Sequence, residues 1–225
     1  FRNELFDGYK ANRPAPPEEM LPQFDMAKEV SEMLGWKNFG VSGMEADDCI
    51  GSMVEKWKED ANITIVSGDK DLLQLLNPST KIAFTKKGFS EYDVYTIDRF
   101  KDEYAIEPHQ FVDVKAFMGD TSDGYPGVKG IGPKTALQLI QKYGSVAEVL
   151  NNLDELKPGQ RNKINDNLEM LKISQKLAAI EKNVPIEASL EELYVPEYSI
   201  ETFEYVESKG FTAISKHAKS LYTFV

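Results

Sequence analysis

The chain has 225 residues, of which 41% are apolar and 28% charged, and these values exclude the disordered, collagen-like and low-complexity classes of protein. The formal net charge of −11 argues against non-specific binding to nucleic acids or anionic membranes, because the average field repels polyanions. A single cysteine, Cys49, excludes an internal disulfide, and no apolar run approaches the ~18 residues of a membrane span, so we expect a cytoplasmic protein without a membrane partner.

The first half of the chain alternates predicted helices with short predicted strands. Apolar spacing predicts a helix from Glu18 to just before Gly35, after a proline-rich loop at 8–17. Ser42 and Glu45 have the spacing of a capping box and begin a second predicted helix over 45–58. Short apolar runs predict four strands, with a short helix after the second. The strands cover 39–41, 63–66, 81–84 and 94–97. This order favours an α/β fold with a largely parallel sheet.

The second half is mostly helical in pattern. Pro108 suits the first position of one helix, and Gly132-Pro133 begins another, which Gly144 ends. Two further helices are predicted over 160–181. The tail ends with a basic cluster, for which we expect packing or a DNA contact: Lys209, Lys216 and Lys219.

Three groups of carboxylates stand out in this pattern. One begins the helix at 45–58, one directly follows the strand at 63–66, and one lies in the loop at 119–124. Taken alone, each group is better explained by helix capping or turn formation than by a functional site. Together they predict one site, because parallel strands place sites beyond their carboxyl ends and the helix at 45–58 should open on the same edge. The carboxylates are Glu45, Asp47, Asp48, Asp69, Asp71, Asp120 and Asp123.

The chemistry of this group predicts divalent cations. Carboxylates that converge would repel one another strongly unless cations were bound. A donor set of oxygen without histidine or cysteine is typical of Mg²⁺ or Mn²⁺. Such groups commonly hold two ions for phosphodiester hydrolysis, in which one ion activates water and the other stabilises the leaving oxygen. Because a helix turns by about 100° per residue, not all of Glu45, Asp47 and Asp48 need be ligands.

Basic segments flank the acidic groups in the sequence. Residues 8–17 contain Lys10 and Arg13 and no acid, and residues 124–147 contain three lysines and no acid. This arrangement favours a polyanion held on both sides of a metal site, although sparse lysines are equally typical of a solvated surface. The glycine-rich turn at 127–132 could bring its backbone close to a phosphate, but a tight turn between helices explains it equally well.

Four motifs of the chain resemble, in the same order, those of the bacterial 5′ nucleases, the family of the 5′→3′ exonuclease domain of DNA polymerase I and its stand-alone flap-endonuclease relatives. The resemblance covers nearly the whole chain, and its last motif is highly specific. The motifs are Phe-Arg-x-Glu-Leu-Phe…Tyr-Lys-Ala-Asn-Arg (1–13), Glu-Ala-Asp-Asp (45–48), Gly-Asp-Lys-Asp-Leu (68–72) and Gly-Asp-Thr-Ser-Asp-Gly-Tyr-Pro-Gly-Val-Lys-Gly-Ile-Gly-Pro-Lys-Thr-Ala (119–136).

The resemblance implies a PIN-like, mostly parallel sheet with flanking helices, followed by a helical part with a helix–hairpin–helix (helix-three-turn-helix) element that binds DNA. It implies a single nuclease domain over 1–225. Its parts would be an arch at 8–34, a metal-binding α/β core at 36–107, the helix–hairpin–helix element at 108–150 and a C-terminal helical part at 151–225.

The resemblance also implies an activity and its residues. The expected enzyme is a monomeric, nucleoid-associated nuclease of replication and repair that cleaves DNA near 5′ flaps and junctions with Mg²⁺ or Mn²⁺. All seven carboxylates would line the metal site, with Asp48 nearest to both ions. Lys10 and Arg13 would hold the scissile phosphate, and Tyr9 would stack on a base. The hairpin would grip duplex DNA and hold K⁺ through backbone carbonyls. Its DNA-binding residues would be Lys129, Gly130, Gly132, Lys134 and Thr135, and its K⁺ residues Val128 and Ile131.

Two departures from the family pattern leave alternatives open. The upstream aspartates of the family are not in this sequence, which begins at Phe1 without methionine, and we expect them to precede it in the molecule. Gly124 stands where the family has asparagine, a change that we expect to be tolerated. A non-catalytic binder of DNA junctions is the alternative to the nuclease. A PIN-type ribonuclease is a third hypothesis, against which the motif at 119–136 argues.

Overall fold

The computed structural model describes residues 1–87, 91–195, 197–213 and 215–216, so Lys219 of the basic cluster lies outside the described residues. The chain forms two compact units. The first consists of Phe1–Arg13 with Val41–Pro185, and the second of Pro14–Gly40 with Ile186–Val225. Each unit is described by itself below. In the ranges just given, no helix has both the length and the apolar character that crossing a membrane requires.

Helices dominate the described residues, and the predicted helices are present. Those at 18–34, 45–58 and 160–181 are observed with boundaries shifted by a few residues, and Pro108–Gln110 forms a 3₁₀ turn that leads into the next helix. The α-helices are α1 (Arg2–Leu5), α2 (Leu21–Met33), α3 (Ala46–Trp57), α4 (Ile97–Tyr104), α5 (Phe111–Met118), α6 (Pro133–Tyr143), α7 (Val146–Asn151), α8 (Pro158–Asn165), α9 (Leu168–Ala178) and α10 (Ile200–Ser208).

The sheet of the first unit has the order β1 (Ile63–Ser67), β2 (Thr80–Lys87), β3 (Glu91–Tyr95). Strands β1 and β2 are parallel, with Ile65 opposite Ile82, whereas β2 and β3 are antiparallel. The α/β class is therefore confirmed, but the described sheet is mixed rather than mostly parallel. The physical reason is the short connection between β2 and β3, since a parallel pair needs a crossover of about a dozen residues or more.

Two local predictions in the first half were wrong. Residues 39–41 form no strand. The segment is only three residues long and includes a glycine, and no strand of the described sheet pairs with it. The capping box at the start of α3 is formed by Glu45 and Asp48 rather than by Ser42 and Glu45. Glu45 has an extended backbone, and its N–H donates to the Asp48 carboxylate at 3.0 Å. The acidic motif thus begins the helix by itself.

The core of the first unit positions the acidic loops. A 3₁₀ turn at Lys70–Leu75 buries Leu72 and Leu73 completely, and this anchors the aspartates at the start of the turn. Helix α5 packs against both α6 and α9, which places the loop after α5 beside the same core. The α5–loop–α6 arrangement confirms the predicted helix–hairpin–helix element. Hydrophobic burial of these leucines and helix faces is the main stabilising contribution.

The second unit has a small core of its own. Val30 and Leu34 of the α2 region are buried with Phe203 and Val206 of α10. The predicted apolar face of α2 is only partly buried, since Phe24 is 49% exposed. In the basic cluster of the tail, Lys209 forms an ion pair with Glu29 at 2.9 Å, and Lys216 is exposed.

Candidate active site

The three carboxylate groups lie on three elements of the first unit. Glu45, Asp47 and Asp48 are at the N-terminus of α3. The Asp69 side chain caps the 3₁₀ turn after β1 by accepting a hydrogen bond from the N–H of Asp71 at 2.9 Å. In the loop after α5, Asp120 accepts hydrogen bonds from Ser122. These caps and turns are local, and they hold each group in a fixed place.

The shifted pKa values indicate that carboxylates of different groups repel one another. Burial, together with the charges of Asp69, Asp71 and Glu45, raises the pKa of Asp47 to about 6. Burial also raises the pKa of Asp71, and the charges of Asp69 and Asp120 add to this, whereas Lys115 opposes it. Like charges shift pKa values in this way only when they are near one another. The structure therefore brings members of all three predicted groups into one acidic region.

This acidic region fits hard divalent cations in its chemistry. Its donors are carboxylate oxygens, the ligands that Mg²⁺ and Mn²⁺ prefer. Its mutual repulsion, seen at Asp47, is the kind that a bound cation relieves. Within the described part of the chain, no three carboxylate, histidine or cysteine side chains surround a single point. The individual ligand assignments therefore stay predictions.

Lys115 is a member of the region that the sequence analysis missed. Its side chain is buried on α5, and its Nζ lies 2.7 Å from Oδ1 of Asp71 and also contacts Oδ2 of Asp120. Burial alone would lower the pKa of Lys115, but the two carboxylates raise it above its ordinary value. The one available signal was a lysine within a run of residues that are otherwise apolar, Val-Lys-Ala-Phe-Met. Lys115 supplies a fixed positive charge between two predicted ligands.

Asp48 is held by Arg2 in a buried, bidentate ion pair. Arg2 Nη1 and Nη2 each lie 2.7 Å from one oxygen of Asp48, and the two residues are 5% and 0% exposed. The backbone N–H groups of Glu45 and Glu181 donate to the same carboxylate at 3.0 and 2.9 Å. A carboxylate accepts about four hydrogen bonds, so this one is saturated.

These contacts give Asp48 a structural role. Arg2 also donates to the backbone carbonyls of Leu177 and Ala179, so the pair connects α1, α3 and the end of α9. Asp48 could bind a metal ion only if Arg2 or a backbone donor moved. Its assignment as the ligand nearest both ions stays a prediction. No local pattern indicated that Arg2, 46 positions away, is its partner.

The basic residues at 9–13 are paired with the acidic region. Lys10 Nζ lies 2.7 Å from Oε1 of Glu45, and Arg13 Nη2 lies 2.6 Å from Oδ1 of Asp123. Lys10 has a φ of +54°, a strained conformation of the kind found at functional sites. Tyr9 is 5% exposed, with its hydroxyl 3.1 Å from Glu45. Because this ring is buried, the expectation that it stacks on a base does not fit the structure.

The packing around Gly124 accounts for the glycine at a position where the family has asparagine. Its φ is +80°, and a Cβ at this position would lie 2.6 Å from the backbone oxygen of Gly8. The neighbouring Asp123 carbonyl accepts a hydrogen bond from the N–H of Lys10 at 2.8 Å. The loop after α5 and the segment that carries Lys10 therefore pack backbone to backbone, and only glycine permits this distance.

We expect Gly124→Asn, which restores the family residue, to lower the free energy of unfolding by more than about 1 kcal/mol. Asparagine tolerates a positive φ, so the loss would come from the contact with Gly8. Gly43→Asn is the matched control, since Gly43 also has a φ of +80° but has no atom within 4 Å of a Cβ. Urea unfolding of both variants checks this; equal losses would contradict the packing explanation.

The predicted hairpin is a turn with an exposed basic surface. Lys129 and Lys134 are exposed, and Gly132 is the N-cap of α6 without a side-chain cap. Lys163 of α8 donates to the carbonyl of Gly130 at 3.0 Å and adds a positive charge that the sequence analysis did not assign to the hairpin. Thr135, the remaining predicted DNA-binding residue, is half-buried. Val128 and Ile131, the predicted K⁺ residues, have buried side chains.

Two family models match adjoining parts of the chain. The model of a 5′-3′ exonuclease N-terminal resolvase-like domain matches residues 1–105, and that of a 5′-3′ exonuclease C-terminal SAM fold matches residues 106–201. The boundary between them falls just after α4. Nearly the whole described chain is thus accounted for by one family.

Curated relatives carry the same description. The chain is 49% identical over 192 residues to a 5′-3′ exonuclease of Bacillus subtilis, a match that covers 85% of this chain and 65% of the relative. It is 38% identical over 220 residues to the DNA polymerase I of Lactococcus lactis subsp. cremoris, which covers 94% of this chain and 25% of the relative. The chain therefore spans less than two thirds of the length of these relatives.

A solved structure shows the same fold. It is the bacteriophage T5 D15 flap endonuclease in a pseudo-enzyme-product complex with DNA and metal ions. The TM-score is 0.65 at 21% identity, and the match covers 96% of this chain and 77% of that one. At this identity the comparison supports the fold alone.

Proposed function

Because the chain belongs to the 5′-3′ exonuclease family, we propose that it carries the activity of a structure-specific 5′ nuclease, which hydrolyses DNA phosphodiesters as a flap endonuclease and 5′→3′ exonuclease in replication and repair. One observation supports this most strongly. Three separate elements bring carboxylates together, and burial together with the charges of Asp69, Asp71 and Glu45 raises the pKa of Asp47 to about 6. A protein that only binds a polyanion has no need of such a region.

Divalent cations, Mg²⁺ or Mn²⁺, are part of this proposal. The residues that would hold them are Glu45, Asp47, Asp69, Asp71, Asp120 and Asp123, with Asp48 as the further predicted ligand. When bound, the cations supply an activated water and a charge that stabilises the leaving oxygen. Lys10, Arg13 and Lys115 balance the carboxylates with fixed positive charge. Asp48, tied to Arg2, keeps the N-terminus of α3 in place.

The chain's basic residues would bind the DNA. Lys10 forms an ion pair with Glu45, and Arg13 forms one with Asp123. When DNA binds, both side chains would also contact the scissile phosphate and so position the phosphate at the acidic region. The hairpin would bind the duplex backbone without reading sequence, through Lys129, Lys134 and the free N–H groups at the start of α6. Lys163 extends this surface. Backbone carbonyl oxygens near Val128 and Ile131 would hold K⁺.

We further propose that the protein is a monomer and acts in the cytoplasm near the nucleoid.

Cleavage of a labelled DNA with a 5′ flap, with Mg²⁺ and with EDTA, tests the proposal. We expect cleavage near the junction that requires the metal, and much slower cleavage of the same flap made of RNA. Junction binding of equal strength in EDTA without any cleavage would instead support the non-catalytic binder. Preferred cleavage of RNA would support the ribonuclease.

A further inference from the structure

Gln74 is a buried polar side chain to which the proposed mechanism gives no role. It is 5% exposed and lies in the middle of the apolar run at 72–76. Its Nε2 donates to the backbone carbonyls of Asp71 at 2.9 Å and of Ala178 at 3.1 Å. Its Oε1 accepts from the N–H of Ile180 at 3.0 Å. The amide group thus uses both its nitrogen and its oxygen, as a buried amide must, and all its partners are backbone groups.

The partners of Gln74 beyond α9 belong to a short segment, residues 177–181, that several elements share. Three side chains bond to its backbone, namely Arg2 from α1, Asp48 from α3 and Gln74 from the 3₁₀ turn after β1. Their partners are the carbonyls of Leu177, Ala178 and Ala179 and the N–H groups of Ile180 and Glu181. The 177–181 segment is therefore a common anchor for two of the three elements that carry acidic groups.

Close packing against α3 fixes the same segment from another side. A Cβ on Gly51 of α3 would lie 2.5 Å from Cγ2 of Ile180 and 3.1 Å from the backbone oxygen of Glu181. The helix and the segment therefore touch without room for one further carbon atom. Because Gln74 connects this segment to the backbone of Asp71, the place of the Asp71 turn depends on where the segment lies against α3.

We propose that Gln74 is a positioning residue for the nuclease reaction, which holds the turn with Asp71 at a fixed spacing from the acidic N-terminus of α3. This inference rests on the proposed function, because the spacing matters only for chemistry at the acidic region. Gln74 is buried and bonds to the backbone of Asp71, so it acts through that residue and not on the substrate. Reactions that depend on positioning are sensitive to such contacts, since a shift of about 1 Å can cost on the order of 10²-fold in rate.

Gln74→Met tests this inference, since methionine has a similar length but cannot form these hydrogen bonds. We expect single-turnover cleavage of the 5′-flap DNA with Mg²⁺ to be on the order of 10²-fold slower. The dissociation constant for the same DNA in EDTA should not change, because the basic residues are untouched. In EDTA the backbone N–H groups at 69–75 and 178–181 should exchange with deuterium faster than in the wild type, as measured by mass spectrometry.

Gln110→Met is the matched control, because it is the same substitution outside the acidic region. Gln110 is half-buried, donates to the carbonyl of Gly144 at 2.6 Å and accepts from the N–H of Glu107 at 2.7 Å. This variant should melt at a lower temperature and cleave at the wild-type rate. Gly51→Ala is a second variant, which displaces the 177–181 segment without removing a hydrogen bond. It should also slow cleavage and leave DNA affinity unchanged, and it decides the matter should Gln74→Met not fold.

The outcomes separate the inference from the proposed function. A wild-type cleavage rate in Gln74→Met, or in Gly51→Ala where Gln74→Met does not fold, would overturn the inference and leave the nuclease intact. A rate loss of the same size in Gln110→Met would overturn it too, since any loss of stability would then slow cleavage. A folded wild-type chain that cleaves no flap DNA would instead refute the proposed function on which the inference rests.

Discussion

Asp71→Asn should reduce the rate of flap cleavage by at least ~10³-fold. Asp71 is the carboxylate that joins two parts of the acidic region, since it follows β1 and shares Lys115 with Asp120 from the loop after α5. Burial raises the pKa of this group, and Lys115 keeps it from rising further. Asparagine has the same shape but no charge, so it weakens the hold on a cation and leaves the chain folded.

The measurement is single-turnover cleavage with saturating enzyme, which separates chemistry from DNA binding. Asp154→Asn is the control, because Asp154 is fully exposed and its contact is an ion pair with Arg161. We expect the control to cleave at the wild-type rate. A rate for Asp71→Asn within a few-fold of the wild type would remove Asp71 from the catalytic residues.

Asp48→Ala should lower the free energy of unfolding by about 3–5 kcal/mol, the range found when one partner of a buried ion pair is removed. The Arg2 guanidinium would stay buried next to a cavity, and the N–H groups of Glu45 and Glu181 would lose their acceptor. The loss would appear in urea unfolding without metal, and it is therefore separate from any role of Asp48 in catalysis.

A double-mutant cycle identifies the cause of this loss. Arg2→Ala together with Asp48→Ala should cost clearly less than the two single losses added, because neither charge is then left alone in the core. The matched pair is Arg161 and Asp154, whose contact at 3.1 Å is exposed, and its coupling should be close to zero. Additive losses for Arg2 and Asp48 would show that each residue acts through other contacts.

Much of the fold could be predicted from local patterns. The helix at 45–58 and the strand at 63–66 depend on apolar spacing within one segment, and both are present. The strand at 39–41 was wrong because a strand needs a partner, which no local pattern supplies. The mixed sheet was missed for the same reason, since pairing direction depends on connections rather than on residue types.

The candidate site was predictable in its acidic residues but not in their partners. Carboxylates such as Asp69 and Asp71 are recognisable because a short motif holds them together at the end of a strand. Lys115 was missed because a lysine in a helix is ordinarily solvated, and its burial follows only from the packing of α5 against α6 and α9. The burial of Tyr9 could not be read from the sequence either, since Tyr125 and Leu177 come from distant segments.

The sequence by itself determined the family, the α/β class, the helix–hairpin–helix element and the three acidic motifs, because each depends on residues that are close together in the chain. Only the tertiary structure decided which charges are paired. Arg2 and Asp48 are 46 positions apart, and Lys10 and Glu45 are 35 positions apart. A charged side chain takes its partner from whatever is buried beside it, and the fold of the whole unit determines that arrangement.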